Sequence, residues 1–197
     1  NGLQVMALAP DDAEAVADAR RMMERQLTHM GNLIDDLLDV SRITSGKIRL
    51  QREPLDIARI AEAAVGSVRP LVTQNHHELH VQAEPGTCHA LADPVRLEQV
   101  LVNLLTNAAK YTEPGGQIWI AASREGDQVV LRVRDTGVGI PHDQVGRMFD
   151  LFEQGERSIA RSEGGLGIGL TIVRTLVELH GGAISVAKPL IVRNSSF

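Results

Sequence analysis

Aromatic residues and cysteine are scarce in this chain of 197 residues, which contains three Phe, one Trp, one Tyr and one Cys. A lone Cys88 excludes an internal disulfide bond and fits a reducing compartment. The interior must be built from Leu, Val, Ile and Ala. Hydrophobic residues make up 43% of the chain, enough for one medium-sized core and a helical appendage.

The chain also lacks an excess of positive charge and any long apolar run. Its net charge of −5 argues against a partner made of nucleic acid, which usually requires a basic patch. No run of about 18 or more apolar residues occurs, so we expect no membrane contact by this segment. We expect a cytoplasmic location, although the parent protein can itself be anchored in a membrane.

One segment combines an apolar stripe with a polar face that needs an explanation. After Asp93-Pro94, a good helix start, comes LEQVLVNLLTNAAKYT, whose Asn103, Asn107, Lys110 and Tyr111 share a face. Asn is poor in helix interiors, so two of them one turn apart suggest a ligand. One Asn oxygen could complete the coordination of Mg²⁺, while Lys110 meets phosphate and Tyr111 offers a ring to a base or ribose. The plain alternative is an amphipathic helix with Asn on its wet face.

Two glycine-rich turns follow this helix. The alternating run QVVLRVR predicts a strand that ends at Asp135, which opens DTGVGI and can accept a hydrogen bond from an adenine amino group. GGLGIGL precedes a helical pattern and presents backbone amides to an anion. Each turn alone could be merely structural, but the three parts in this order predict an ATP pocket without a Walker A loop.

The segment before residue 46 predicts a helical hairpin. Met23, Met30, Leu33, Leu37 and Val40 form one apolar seam, and Pro10 with the acidic residues after it marks a turn and helix cap. Two hairpins from two chains would close a four-helix bundle, whereas the alternative is a helix packed on its own domain.

We therefore predict two domains, 1–45 and 46–197, the second an α/β two-layer sandwich with a mixed sheet. The hinge is placed at Thr44 to Lys47. The predicted strands are Ile48 to Gln51, Glu78 to Gln82, Gln117 to Ser123, Gln128 to Arg134 and Ala183 to Val186. The predicted helices are Ile57 to Gln74, Pro94 to Tyr111, His142 to Met148 and Leu166 to His180.

NLLTNAAKYT, DTGVGI, MFDLFEQ and GGLGIGL resemble the N box, first glycine box, F box and second glycine box of sensor histidine kinases, members of the GHKL ATPase superfamily. The upstream helix is similar to the second helix of their dimerisation and phosphotransfer domain. The resemblance implies a Bergerat-type ATP-binding fold, a homodimer formed through the hairpin, and relay of phosphate to a response-regulator receiver domain.

The resemblance implies a catalytic role for Asn103 and Lys110, with Asn107 as the ligand of Mg²⁺. The residues expected to bind ATP are Asn103, Asn107, Lys110, Tyr111, Asp135, Gly137, Gly139, Ile140, Arg161, Gly165, Leu166, Gly167, Ile168, Gly169 and Leu170. Gln154 to Glu163 is expected to form a lid over the nucleotide, with Arg161 reaching a phosphate.

The chain departs from the family pattern in three places. No H box with a phosphoacceptor histidine occurs, and we expect it to lie just upstream; His29 lacks the adjacent acidic residue that would activate it. Leu166 stands where Thr or Ser is common. The residues after Gly182 only faintly resemble the usual last strands, so no functional residue is assigned there.

The other histidines predict no metal site. His76, His77 and His80 lack the further partners that zinc requires and indicate a polar turn, while His180 resembles a structural element of the family.

Two other functions stay open at this point. A hydrolytic GHKL ATPase of the gyrase, mismatch-repair or chaperone kind would carry Glu where Asn103 stands, and an amide cannot take a proton from water. A nucleotide-binding regulatory module without transfer activity is the other alternative.

Overall fold

The computed structural model describes residues 12–46, 48–141, 144–150 and 167–186. The first element is helix α1, Ala13–Thr44, whose N-terminus is capped by the Asp12 carboxylate, which accepts from the amides of Glu14 and Ala15. The helix of the predicted hairpin that precedes the turn lies outside the described residues. The hairpin and the domain boundary therefore stay predictions.

Among the described residues that follow α1, the chain forms three helices and five strands, which we call the α/β half. In chain order these are β1 (Glu53–Asp56), α2 (Ile57–Gln74), β2 (Glu78–Gln82), β3 (His89–Ala92), α3 (Pro94–Tyr111), β4 (Gln117–Glu125), β5 (Gln128–Asp135) and α4 (Gly169–Leu179). The bounds predicted for α2, β2 and α3 are confirmed, and β4 and β5 run slightly longer than predicted.

The strands form two small sheets within the described residues. Strand β4 pairs in parallel with β2 and antiparallel with β5, which gives the predicted mixed sheet, while β1 and β3 form a separate antiparallel pair. One face of the larger sheet packs under the helices, with Ile118 and Ile120 fully buried. The opposite face carries His80 stacked on Trp119, and the Arg134 guanidinium lies 4.9 Å from the Trp119 ring.

Two apolar clusters hold the layers together. The first joins α2, α3 and β4 through buried residues such as Ala61, Val65, Leu101 and Leu105. The second joins α3 to α4 and includes Val40 and Ile43 of α1 as partly buried members. Helix α1 therefore packs directly on α3 and α4. No helix among the described residues combines the length and the apolar character that crossing a bilayer requires.

Several predicted elements are wrong. Residues 48–52 form no strand, because the Gln51 amide donates to the Asp93 carboxylate instead of to a neighbouring strand. Residues 183–186 form no strand, and 144–149 form turns rather than a helix. The last predicted helix begins at Gly169 instead of Leu166, while β3 was not predicted because a strand of four residues carries little periodic signal.

Candidate nucleotide site

The position of α3 is fixed at its start by the Asp93 carboxylate. Its Oδ1 accepts from the Arg96 amide at 3.1 Å, and its Oδ2 accepts from the Gln51 amide at 2.8 Å. Burial alone would raise the pKa of Asp93, but hydrogen bonds from the amides of Gln51, Arg96 and Val95, with the Arg96 charge, bring the pKa below its usual value. The cap is therefore ionised at neutral pH.

His180 ties the end of α4 to the start of α3. Its Nε2 accepts from the Asp93 amide at 3.0 Å, and its Nδ1 lies 2.7 Å from the Leu176 carbonyl oxygen. Because an amide only donates and a carbonyl only accepts, both bonds require the neutral imidazole with its proton on Nδ1. The His180 ring therefore has a structural role, as its resemblance to a structural element of the family implied.

The polar face of α3 carries the four side chains that the sequence singled out. Asn103, Asn107 and Lys110 are half-buried, and Tyr111 is 44% exposed. The Asn103 amide lies 3.5 Å from the carbonyl oxygen of Gly169, a long contact. Within the described part of the chain, Asn107 and Lys110 have no side-chain hydrogen bond or ion pair, so both groups are available to a ligand.

The first glycine turn is bonded to the end of α3. The Gly137 amide donates to Asp135 Oδ1 at 2.8 Å, and the Val138 amide donates to the Tyr111 carbonyl oxygen at 3.2 Å. A Cβ atom on Gly137 would lie 2.4 Å from that same oxygen. Gly139 has a φ of +68°, which favours glycine, and Ile140 is exposed beside it. One Asp135 oxygen thus holds the turn and leaves the other for a ligand.

The described end of the second glycine turn, residues 167–170, lies beside α3. Gly167 has a φ of +72°, and Gly169 begins α4 beside Asn103. Ile168 is buried in the second apolar cluster, so only its backbone can face a ligand, while Leu170 is half-buried. The expected lid, Gln154 to Glu163, and the expected ligand contacts Arg161, Gly165 and Leu166 lie outside the described residues.

The structure also shows two contacts that we did not predict from the sequence. The Thr171 hydroxyl at the start of α4 donates to the Phe149 carbonyl oxygen at 2.9 Å, which ties Phe149 to α4. His77 was expected in a polar turn but is buried, and its Nε2 lies 3.0 Å from the Ala109 carbonyl oxygen of α3. Sequence spacing carries no signal for this contact, since the two residues are 32 positions apart.

Two open clefts lie away from these residues. One, of about 670 Å³, is lined by the loop after β2, including Pro85 and Cys88, and by Arg124. The other, of about 520 Å³, is lined by β1 and its surroundings, including Asp56 and His89. Neither contains a predicted nucleotide contact.

Comparison with known proteins agrees with this arrangement. Residues 92–196 match a family profile described as histidine kinase-, DNA gyrase B- and HSP90-like ATPase. The chain is 39% identical over 160 residues to the circadian input-output histidine kinase CikA of Synechococcus elongatus, covering 80% of this chain and 21% of that protein. It is 36% identical over 178 residues to the probable sensor histidine kinase TcrY of Mycobacterium tuberculosis, covering 90% of this chain and 37% of that protein.

Solved structures show the same fold. The mycobacterial sensor histidine kinase MprB matches with a TM-score of 0.57 and 30% identity, over 67% of this chain and 82% of that chain. Full-length ShkA in complex with AMPPNP matches with a TM-score of 0.67 and 29% identity, over 88% of this chain and 35% of that chain. The chain thus belongs to the histidine kinase-, DNA gyrase B- and HSP90-like ATPase family, and it carries the ATP-binding catalytic domain of a sensor histidine kinase.

Proposed function

We propose that this chain binds Mg-ATP on the polar face of α3 and transfers the γ-phosphoryl group to a histidine on a bundle helix. The observation that carries this proposal is the convergence of both glycine turns on one helix. The Val138 amide of the first turn donates to the Tyr111 carbonyl oxygen, and Gly169 of the second turn lies beside Asn103. Side chains that suit phosphate, metal and base therefore share one surface.

Each part of the nucleotide has a proposed partner. Asn107 is the protein ligand of Mg²⁺, because its amide is half-buried on this face and a single oxygen ligand suffices when phosphates and waters supply the rest. Lys110 meets the phosphates, and Tyr111 lies against the base or ribose. Asp135 accepts from the adenine amino group through the oxygen that does not hold the turn. Ile140 and the backbone of Gly137, Gly139 and residues 167–170 line the pocket.

The residues of this chain favour phosphoryl transfer over hydrolysis. Asn103 stands where a hydrolytic relative would carry a Glu base, and its amide cannot accept a proton from water. In the proposed transfer a nitrogen of the acceptor histidine forms a bond to the γ-phosphorus, the bond from that phosphorus to the β,γ-bridging oxygen breaks, and ADP leaves. Bound Mg²⁺ would neutralise the charge on the phosphates. The protein's own part is to position the nucleotide. At residue 103 it places an amide, which cannot act as a base towards water.

The wider setting is also a proposal, because the chain spans only 21% and 37% of the lengths of the two curated relatives compared. We propose a homodimer formed through α1, which exposes an apolar stripe that includes Leu27, Met30 and Ile34. Phosphate would pass from the histidine to an aspartate of a response-regulator receiver domain. The catalytic domain would act in the cytoplasm.

Incubation with γ-labelled ATP tests the transfer. We expect the 197-residue chain alone to stay unlabelled because it contains no H box. Adding a bundle fragment that carries an H box should yield label that is stable to base and lost in acid, as for a phosphohistidine. Release of inorganic phosphate without labelling of that fragment would favour the hydrolytic alternative. Label on His29 of the chain itself would contradict the assignment of that residue.

A further inference from the structure

The last turn of α3 is bonded to two segments that are distant from it in sequence, the first glycine turn and the turn that follows α2. The final carbonyl groups of a helix lack intrahelical partners and need others. The Tyr111 oxygen accepts from the Val138 amide of the first glycine turn. The Ala109 oxygen accepts from His77 Nε2 at 3.0 Å and, in a long contact of 3.5 Å, from Asn75 Nδ2. This turn carries Lys110 and Tyr111. Its position therefore sets where those two side chains meet the nucleotide.

This contact requires a proton on Nε2 of the His77 ring. A carbonyl oxygen only accepts hydrogen bonds, so Nε2 at 3.0 Å from the Ala109 oxygen must carry the proton and donate. The ring is 8% exposed, and its Nδ1 is buried without a hydrogen-bond partner in the described part of the chain. Leaving a buried ring nitrogen unpaired costs free energy, so packing alone does not account for an imidazole at this position.

The backbone around His77 holds the ring against α3. The His77 amide donates to the Val72 carbonyl oxygen near the end of α2, and the following Glu78 amide donates to the carbonyl oxygen of Gly116, just before β4. The Asn75 carbonyl oxygen accepts from the Gly115 amide at 3.0 Å. The turn between α2 and β2 is thus tied to both sides of the loop that follows α3.

We propose that His77 is a positioning residue for the nucleotide, acting through the Ala109 carbonyl group on the turn that carries Lys110 and Tyr111. This inference rests on the proposed function of α3. Without the bond from Nε2, the buried Ala109 oxygen keeps only the long contact from Asn75 Nδ2 at 3.5 Å, and the helix end can improve this weak pairing only by moving or by admitting water. Either change displaces Lys110 relative to Asp135, which lies in the turn bonded to Tyr111.

Two variants of His77 distinguish the effect of the hydrogen bond to Ala109 from the effect of replacing the imidazole ring. In His77→Gln the side-chain amide nitrogen reaches about as far as Nε2 and can still donate to Ala109, whereas in His77→Asn it stops near the position of Nδ1. We expect His77→Asn to weaken Mg-ATP binding about tenfold by calorimetry and His77→Gln to bind within about threefold of the parent. His76→Asn, on the exposed neighbour with a φ of +54°, should bind like the parent.

A second measurement covers the case in which the Asn variant does not fold. In ¹⁵N-labelled parent protein, the imidazole signals of His77 should show the proton on Nε2 and should shift when saturating Mg-ATP is added. Equal ATP affinity of folded Asn and Gln variants, or imidazole signals that Mg-ATP leaves unchanged, would overturn the inference. A parent chain that binds no ATP would instead contradict the proposed function on which the inference rests.

Discussion

At the scale of single residues, the contact between the first glycine turn and α3 leaves no room for a side chain. A Cβ atom on Gly137 would lie 2.4 Å from the Tyr111 carbonyl oxygen and 2.7 Å from Asp135 Oδ1. Both are atoms of the proposed site. Gly137 is required here by close approach, whereas Gly126 in the turn between β4 and β5 is favoured by its φ of +61° in open space.

Substitution of Gly137 by alanine can be tested against the same substitution at Gly126 as a matched control. Gly137→Ala should push the turn away from α3 and weaken ATP binding by at least about tenfold, since the Asp135 carboxylate and the Tyr111 backbone can no longer keep their places. Gly126→Ala should cost about 1 kcal/mol of stability, because alanine is strained at positive φ, without changing ATP affinity. Calorimetry and urea unfolding measure the two effects. Unchanged ATP binding in Gly137→Ala would mean that this turn does not form the site.

At the scale of secondary-structure elements, a polar cluster joins α1 to α3. Arg96 Nη1 lies 3.0 Å from both oxygens of Asp39, and the Gln99 side chain donates to Asp39 Oδ2 at 2.7 Å. The Asp39 side chain is only 10% exposed and that of Arg96 21%. The pair therefore differs from the exposed ion pair of Arg174 and Glu178 within α4.

Breaking the buried pair should destabilise the contact between the two helices. We expect Asp39→Asn to cost about 3 kcal/mol of unfolding free energy, mainly because Arg96 is left partly buried without a counter-charge. Glu178→Gln, the exposed control, should cost about 0.5 kcal/mol or less. Urea unfolding of both variants checks the contrast. Equal small losses would mean that the Asp39 cluster does not hold α1 on the α/β half.

The elements differ in how well the sequence could predict them. The Asp93-Pro94 start and the long apolar stripes gave α2 and α3 their correct bounds, because helix caps and helical periodicity are local signals. Residues 48–51 alternate like a strand, but the Gln51 amide is bonded to Asp93, 42 positions away. The buried position of His77 depends in the same way on a distant carbonyl group. Tertiary hydrogen bonds of this kind leave no periodic trace.

At the scale of the whole molecule, α1 carries an apolar surface that the described residues leave uncovered. Leu27 is 67% exposed, and Met30, Ile34, Leu37 and Leu38 are each about half exposed. Met30 and Leu37 belong to the apolar seam that the sequence predicted, and Leu27, Ile34 and Leu38 widen it at helical spacings. Such a stripe on a helix of 32 residues fits the proposed homodimer.

A charged side chain in this apolar stripe should dissociate the proposed dimer without changing the affinity for ATP. We expect Ile34→Glu to shift the chain from dimer to monomer in analytical ultracentrifugation, because a charge would be buried in the bundle core. Leu91→Glu, on an equally exposed apolar residue of β3, should leave the dimer intact. Both variants should bind ATP like the parent, since neither residue lies near α3's polar face. A parent chain that stays monomeric at all concentrations would contradict the proposed assembly.

The central claim about the proposed site is that Asn107 is the protein ligand of Mg²⁺ and so makes nucleotide binding dependent on Mg²⁺. Calorimetry of ATP binding, with Mg²⁺ and with a chelator, to the parent chain and to Asn107→Ala tests this most directly. We predict that the parent binds Mg-ATP more tightly than free ATP, and that Asn107→Ala loses this difference while keeping its affinity for free ATP. Equal weakening of both forms would contradict the metal role of Asn107, and no binding of ATP by the folded parent would contradict the nucleotide site as a whole.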